Sequence, residues 1–159
     1  MNWKREIIRP KTAVNHPSTC SGMIKVGPFL FMAGQIAMFE NRYVVQGFKD
    51  IDEEGRKMLE ADVNWGRHFR EEKIAAQAWQ VFSQIKKMLK DAGSDMENII
   101  SLRILLTDIN HFPVVERVRN MFYKPDNMPI ITTMQVVALC PPEALLEIEV
   151  EAFLPGEVD

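Results

Sequence analysis

The stretch NMPIITTMQVVALCPPEALLEIEVEAF, residues 127–153, decides how the chain folds. It reads as two strands, residues 130–138 and 144–154, joined across the pair Pro141-Pro142. In the second strand Glu147, Glu149 and Glu151 alternate with Leu146, Ile148, Val150 and Ala152, which puts acids on one face of a sheet and apolar side chains on the other. Like charges two residues apart on one face repel, so that face must be solvated, paired or used in chemistry.

Working outward, NIISLRILLTDIN (98–110) reads as a further strand. Its faces separate as Ile100, Leu102, Ile104 and Leu106 against Ile99, Ser101, Arg103 and Leu105, so Arg103 falls on the more polar side. Between the two regions, HFPVVERVRNMFY has helical spacing, with Asp108 or Asn110 as cap, Pro113 in the first turn, and Val115, Val118 and Phe122 facing inward. A longer amphipathic helix is predicted over 67–92, where Ile74, Ala78, Val81, Ile85 and Met88 or Leu89 form one stripe and Gly93 ends the run. Nearer the N-terminus, residues 23–26 and 29–33 form a hairpin about Gly27-Pro28, and RYVVQG (42–47) makes a third strand. Residues 50–66 are acidic, partly helical in composition and interrupted by Gly55 and Gly66.

The order is therefore strand, strand, strand, helix, strand, helix, strand, strand. It predicts an α+β domain whose mixed sheet carries two helices on one face and leaves the other bare. A bare face of partly apolar character is usually buried against further copies of the chain, so a homo-oligomer is expected. With 159 residues, 47% hydrophobic and 26% charged, the chain has the size and composition of a single domain spanning 1–159. No repeat, low-complexity tract or dividing linker is apparent.

Charge and motif content exclude several functions. A net charge of −3 without a basic stripe argues against a nucleic-acid partner, and the cluster Lys4, Arg5, Arg9 and Lys11 reads as a solvated tail. The longest apolar tract, GPFLFMAGQIAMF, is too short to span a membrane, and MNWKREIIRPK lacks the apolar core of a signal peptide. Cys20 and Cys140 have no metal-binding or disulfide spacing, so a reducing cytoplasm is the expected location. No phosphate-binding loop, GxGxxG, GxSxG or HExxH occurs. His16, His68 and His111 stand apart from any spaced partner and read as surface or capping residues; the ten methionines read as core filling. Cys20, in the polar run HPSTCSGM, is a reactive thiol only if a base lies beside it.

In sequence order, VGPFLFMAGQI, AAQAWQVFSQIKKMLKDAGSDMENIISLRILLTDINHF and ALLEIEVEAF resemble the reactive-intermediate deaminase family, also called Rid or YjgF, over about residues 22–154. The resemblance implies a chorismate-mutase-like fold assembled as a homotrimer, with three ligand clefts between neighbouring subunits. It further implies a small-molecule substrate, no cofactor, and hydrolysis of an imine or enamine such as 2-aminoacrylate to a keto acid and ammonia.

Carried over position by position, the family's functional residues match only in part. Glu147, the first acid of EIE, corresponds to the carboxylate that orients water, and Gly34 keeps the glycine before it in the cleft. The family's serine beside that glycine is Ala33, its N-terminal aromatic hydroxyl falls at Cys20, and its second-helix asparagine is Glu116. The arginine that binds the substrate carboxylate stands at Ile131, followed by Thr132 and Thr133; an apolar side chain cannot make a bidentate ion pair. The chain also departs from the family in length, since residues 50–66 and those after them enlarge the usual loop and bring Trp65, Arg67, His68 and Arg70 close together. This insertion reads either as a binding loop supplying a cation or as a helical extension with solvated charges.

Several functions remain in competition. The first is a divergent imine or enamine hydrolase, of the aminomuconate-deaminase sort, with Glu147 activating water and Arg103 or the insertion recognising substrate. Against it stands a non-catalytic ligand-binding or regulatory trimer, which Ile131 favours. A different reaction on the same scaffold and an RNA-associated role complete the set.

Overall fold

In the computed structural model, which describes residues 3–11, 21–39, 43–61 and 72–156, the alternation of residues 146–153 governs the sheet. Strand β8 (Leu146–Phe153) lies in its interior, with Leu146, Ile148, Val150 and Ala152 buried and the three glutamates on the opposite face. Antiparallel to it run β3 (Phe29–Gln35) on one side and β6 (Ile99–Leu106) on the other. The sheet continues through β2 (Met23–Val26) to β1 (Arg5–Ile8) at one edge, and through β7 (Ile130–Gln135), parallel to β6, at the other. The order β1-β2-β3-β8-β6-β7 makes one mixed six-stranded sheet. Two further short strands, β4 (Met38–Phe39) and β5 (Tyr43–Val44), pair with each other outside it.

Helices α2 (Glu72–Asp91) and α3 (Phe112–Arg119) cover one face, as the apolar spacing predicts. Ile74, Ala78, Val81, Ile85, Met88 and Leu89 of α2 are fully buried, and Val115 and Val118 of α3 join the same core as Leu102, Ile104, Ile148 and Val150. Gly93, at φ 87°, ends α2 in the left-handed conformation that glycine adopts without strain. Asp108 caps the short turn 109–111 that leads into α3, its carboxylate accepting from Asn110 N–H.

Four sequence expectations need correction. Residues 5–8 are not a solvated tail: they pair with β2, Arg5 opposite Val26 and Ile7 opposite Ile24. The RYVVQG strand is present only as Tyr43–Val44 and belongs to the small ladder rather than the main sheet. Gly55 does not interrupt residues 50–66, because α1 (Glu53–Glu60) runs through it, capped by Asp52. Its missing side chain admits Trp79, whose indole N–H donates to the same Asp52 carboxylate at 3.1 Å. Finally, β6 carries one extra residue between Ile99 and Ser101 relative to β8, and this bulge inverts the expected faces at its start. Ile99 is buried, while Ile100 turns toward the uncovered face and lines a shallow hollow with Phe29, Phe31 and Glu151.

A polar stripe on α2 ties these layers together. Gln77, completely buried, donates through Nε2 to the carbonyls of Val45 (2.9 Å) and Glu143 (3.0 Å) and accepts through Oε1 from Leu145 N–H (2.8 Å). One turn on, Gln80 donates to Met38 C=O, and Gln84 bridges Ile36 C=O and Met38 N–H. Replacing Gln77 by Leu strands three backbone groups whose desolvation is then uncompensated. A loss of on the order of 3 kcal/mol is expected in urea unfolding, against well under 1 kcal/mol for a surface change such as Lys87→Gln.

Candidate functional site

The uncovered face is where chemistry-bearing side chains gather. β3 carries an extra residue opposite β8, since Met32 pairs with Val150 but Gln35 with Ile148. The bulge places Ala33 and Gly34, both half-exposed, between the buried Met32 and Gln35. Gly34 lies directly against Glu147: a Cβ there would stand 2.6 Å from Glu147 Cδ and 2.8 Å from Cγ, and would overlap Oε1. The Glu147 carboxyl thus occupies the volume that any other residue at position 34 would fill.

The electrostatics of that carboxyl follow from its seat. Glu147 is half-buried, pairs in register with the aliphatic Leu105, and has no hydrogen-bond donor among the described residues. Desolvation raises its pKa above the ordinary glutamate value, and the charge of Glu149 raises it further. A carboxylate whose pKa is raised holds a proton more readily than an ordinary glutamate, the direction in which a general base and acid is tuned.

Arg103 reaches the same face, as its alternation predicts, but its guanidinium is engaged. It stands in register with Glu149 across the β6–β8 ladder, and Arg103 Nη1 and Glu149 Oε2 form a close ion pair. Thr132 of β7 stands beside Arg103 in the parallel register and shares its face. Ile131 pairs with the buried Leu102 and packs against the core, and Thr133 pairs with the buried Ile104, so both lie on the helix side. Glu116 belongs to α3 and accepts from Arg119 at 3.2 Å, one turn along its own helix.

Within one chain, then, Glu147, Ala33, Gly34, Arg103 and Thr132 share the uncovered face, whereas Ile131, Thr133 and Glu116 lie on the other side of the sheet. Cys20, Trp65, Arg67, His68 and Arg70 lie outside the described residues, as do His16 and most of the stretch linking α1 to α2. The sequence reading missed Glu149 as the partner of Arg103. Its signal was the matching alternation of 99–106 and 146–153, which becomes a pairing only when the register is known.

The model of the family described as Endoribonuclease L-PSP matches residues 12–154. A RutC family protein of Pyrococcus abyssi is 26% identical over 149 residues, covering 94% of this chain and 97% of that one. Human 2-iminobutanoate/2-iminopropanoate deaminase is 35% identical over 80 residues, which is 50% of this chain and 57% of that protein. Among solved structures, a Klebsiella pneumoniae protein superposes with a TM-score of 0.77 at 32% identity, covering 86% of this chain and 100% of that one.

The raised Glu147 pKa carries a stability consequence. Below the ordinary glutamate value the carboxyl is protonated in both folded and unfolded chains; as pH rises through the higher folded value, the folded state must ionise a half-buried acid and loses stability. Glu147→Gln removes that loss. Thermal melts from pH 4 to pH 8 are expected to show the variant gaining on the wild type as pH rises and then holding a constant lead; a pH-independent difference would contradict the assignment.

Proposed function

The chain belongs to the family described as Endoribonuclease L-PSP, the Rid or YjgF family, and from that premise we propose that it is a cofactor-independent hydrolase of imine or enamine intermediates, with Glu147 handling the water. The observation that carries this reading is the Glu147–Gly34 pair: a half-buried carboxyl with a raised pKa, open to the uncovered face and without a hydrogen-bond donor among the described residues. The activity for which the human relative is named, deamination of 2-iminobutanoate and 2-iminopropanoate, supports the reaction class.

In the proposed reaction the Glu147 carboxylate accepts a proton as water adds to the imine carbon, giving a tetrahedral carbinolamine. Glu147 returns that proton to nitrogen, completing the amino group; it then takes the carbinolamine hydroxyl proton and delivers it to nitrogen as the C–N bond breaks, so that ammonia leaves and the carbon keeps oxygen as a carbonyl. One imine and one water give one carbonyl compound and one ammonia, and the acid ends in its starting state.

The reading includes a homotrimer with the site between subunits. Phe31, Ile130 and Met134, at 44%, 69% and 42% exposure, give the uncovered face an apolar character that assembly would bury. In this reading Ile131, Thr133 and Glu116, which lie on the helix-covered side of the sheet, line no part of their own chain's Glu147 site. RNA is a poor fit to the centre of the face, where the three glutamates of β8 meet Arg103, already paired with Glu149.

Ammonia release from enzymatically generated 2-aminoacrylate tests the chemistry. The wild type is expected to accelerate it, and Glu147→Gln to lower the rate by about 100-fold or more, the usual worth of a general base. Equal rates for the two proteins would refute the role of Glu147; no acceleration by either, with a metabolite retained on native purification, would favour the binding trimer. Sedimentation should give a particle three times the 18.3 kDa chain mass, and Met134→Glu should move it toward monomer.

A further inference from the structure

Arg103 is the sole Lys or Arg in the four strands β3, β8, β6 and β7 that frame Glu147. The remaining side chains on that face of β7 and β6 near it are Ile130, Thr132, Met134, Ser101 and Leu105, none of which carries charge. Arg103 is also committed. Its register partner on β8 is Glu149, and the two side chains, 49% and 38% exposed, are closed into an ion pair. We propose that Glu149 is a specificity-determining residue: by holding Arg103 across the β6–β8 ladder, it denies that cation to a substrate carboxylate and tunes the Glu147 site for imines without one.

Two anions compete for one guanidinium. Glu147 and Glu149 are two residues apart on one strand face, roughly 7 Å along it, so a substrate bound at Glu147 has Arg103 within a side chain's reach. An exposed ion pair of this kind is worth little in itself, about 0–1 kcal/mol. Breaking it, however, leaves the displaced Glu149 charge beside the incoming carboxylate and next to Glu147, where like charges disfavour one another. A substrate without a carboxylate leaves the pair intact and, among the described residues of β6 and β7, meets Thr132, Leu105 and the apolar side chains of Ile130 and Met134. Discrimination thus comes from an internal anion that occupies the recognition group first.

This inference rests on the Glu147 site proposed above, so its test has one arm that needs turnover and one that does not. In the first, ammonia release is compared for an imine made from an α-amino acid by an amino-acid oxidase and for one made from benzylamine by an amine oxidase. Wild type is expected to favour the carboxylate-free imine. Glu149→Gln should raise kcat/KM for the carboxylate-bearing one by about tenfold, the effect of a freed charged hydrogen bond, and Arg103→Gln added to it should abolish the gain. In the second arm, phenylacetate and phenylacetamide are titrated calorimetrically. Glu149→Gln should tighten phenylacetate by about tenfold and leave phenylacetamide unchanged, whether or not any imine is hydrolysed. A Glu149→Gln protein with unaltered preference in both arms, or a gain that survives loss of Arg103, overturns the proposal. Absence of hydrolysis with the expected phenylacetate response overturns only the hydrolase reading.

Discussion

The three hydrogen bonds of Gln77 fix what the rest of the molecule depends on, the position at which β8 enters the sheet. A buried primary amide is tolerated only when its donors and acceptor are met, and here all three partners are backbone groups, one at Val45 and two, at Glu143 and Leu145, just before β8. Leu145 N–H is one of them, and the carbonyl of Leu145 in turn accepts from Thr107 N–H at the end of β6. The chain is thereby held on both sides immediately before Leu146. The period of two along a strand does the rest, turning Glu147 outward and Ile148 inward.

With that start fixed, the two neighbours of β8 each deviate by one residue. The extra residue in β3 brings Gly34 against Glu147, and the extra residue in β6 turns Ile100 outward at the far end of the same strand. The bulges lie on opposite sides of β8, one facing Ile148–Val150 and the other Glu151–Ala152, and the β6–β8 ladder stays regular from Ser101 to Leu106, where Arg103 meets Glu149 and Leu105 meets Glu147. The Glu147 carboxyl and the ion pair beside it are thus positioned by strand pairing.

Much of this was legible in the sequence because it is periodic. The α2 stripe, the acid-apolar alternation of 146–152 and the left-handed stop at Gly93 come from local rules that tertiary contacts reinforce. What escaped was non-local or aperiodic. A bulge adds a residue without marking it, so the face of Ile100 could not be read by counting. The strand at Arg5–Ile8 is masked by its charges, since an edge strand needs one apolar face at most. The candidate site was legible as Glu147 and Gly34, whose types the family resemblance supplied. The separation of Ile131 and Glu116 from them was hidden, because sequence order says nothing about which side of a sheet a matched position faces.

The packing of Gly34 against Glu147 also constrains how this surface can change over generations. The two residues share one volume, so their identities form a single heritable choice rather than two. A lineage that gives up the carboxyl is free to acquire a side chain at position 34, and doing so closes the way back, because glutamate at 147 could then return only after glycine did. Loss of the acid is therefore apt to become permanent, and a homologue with a larger residue at the first position is expected to have already relinquished the second.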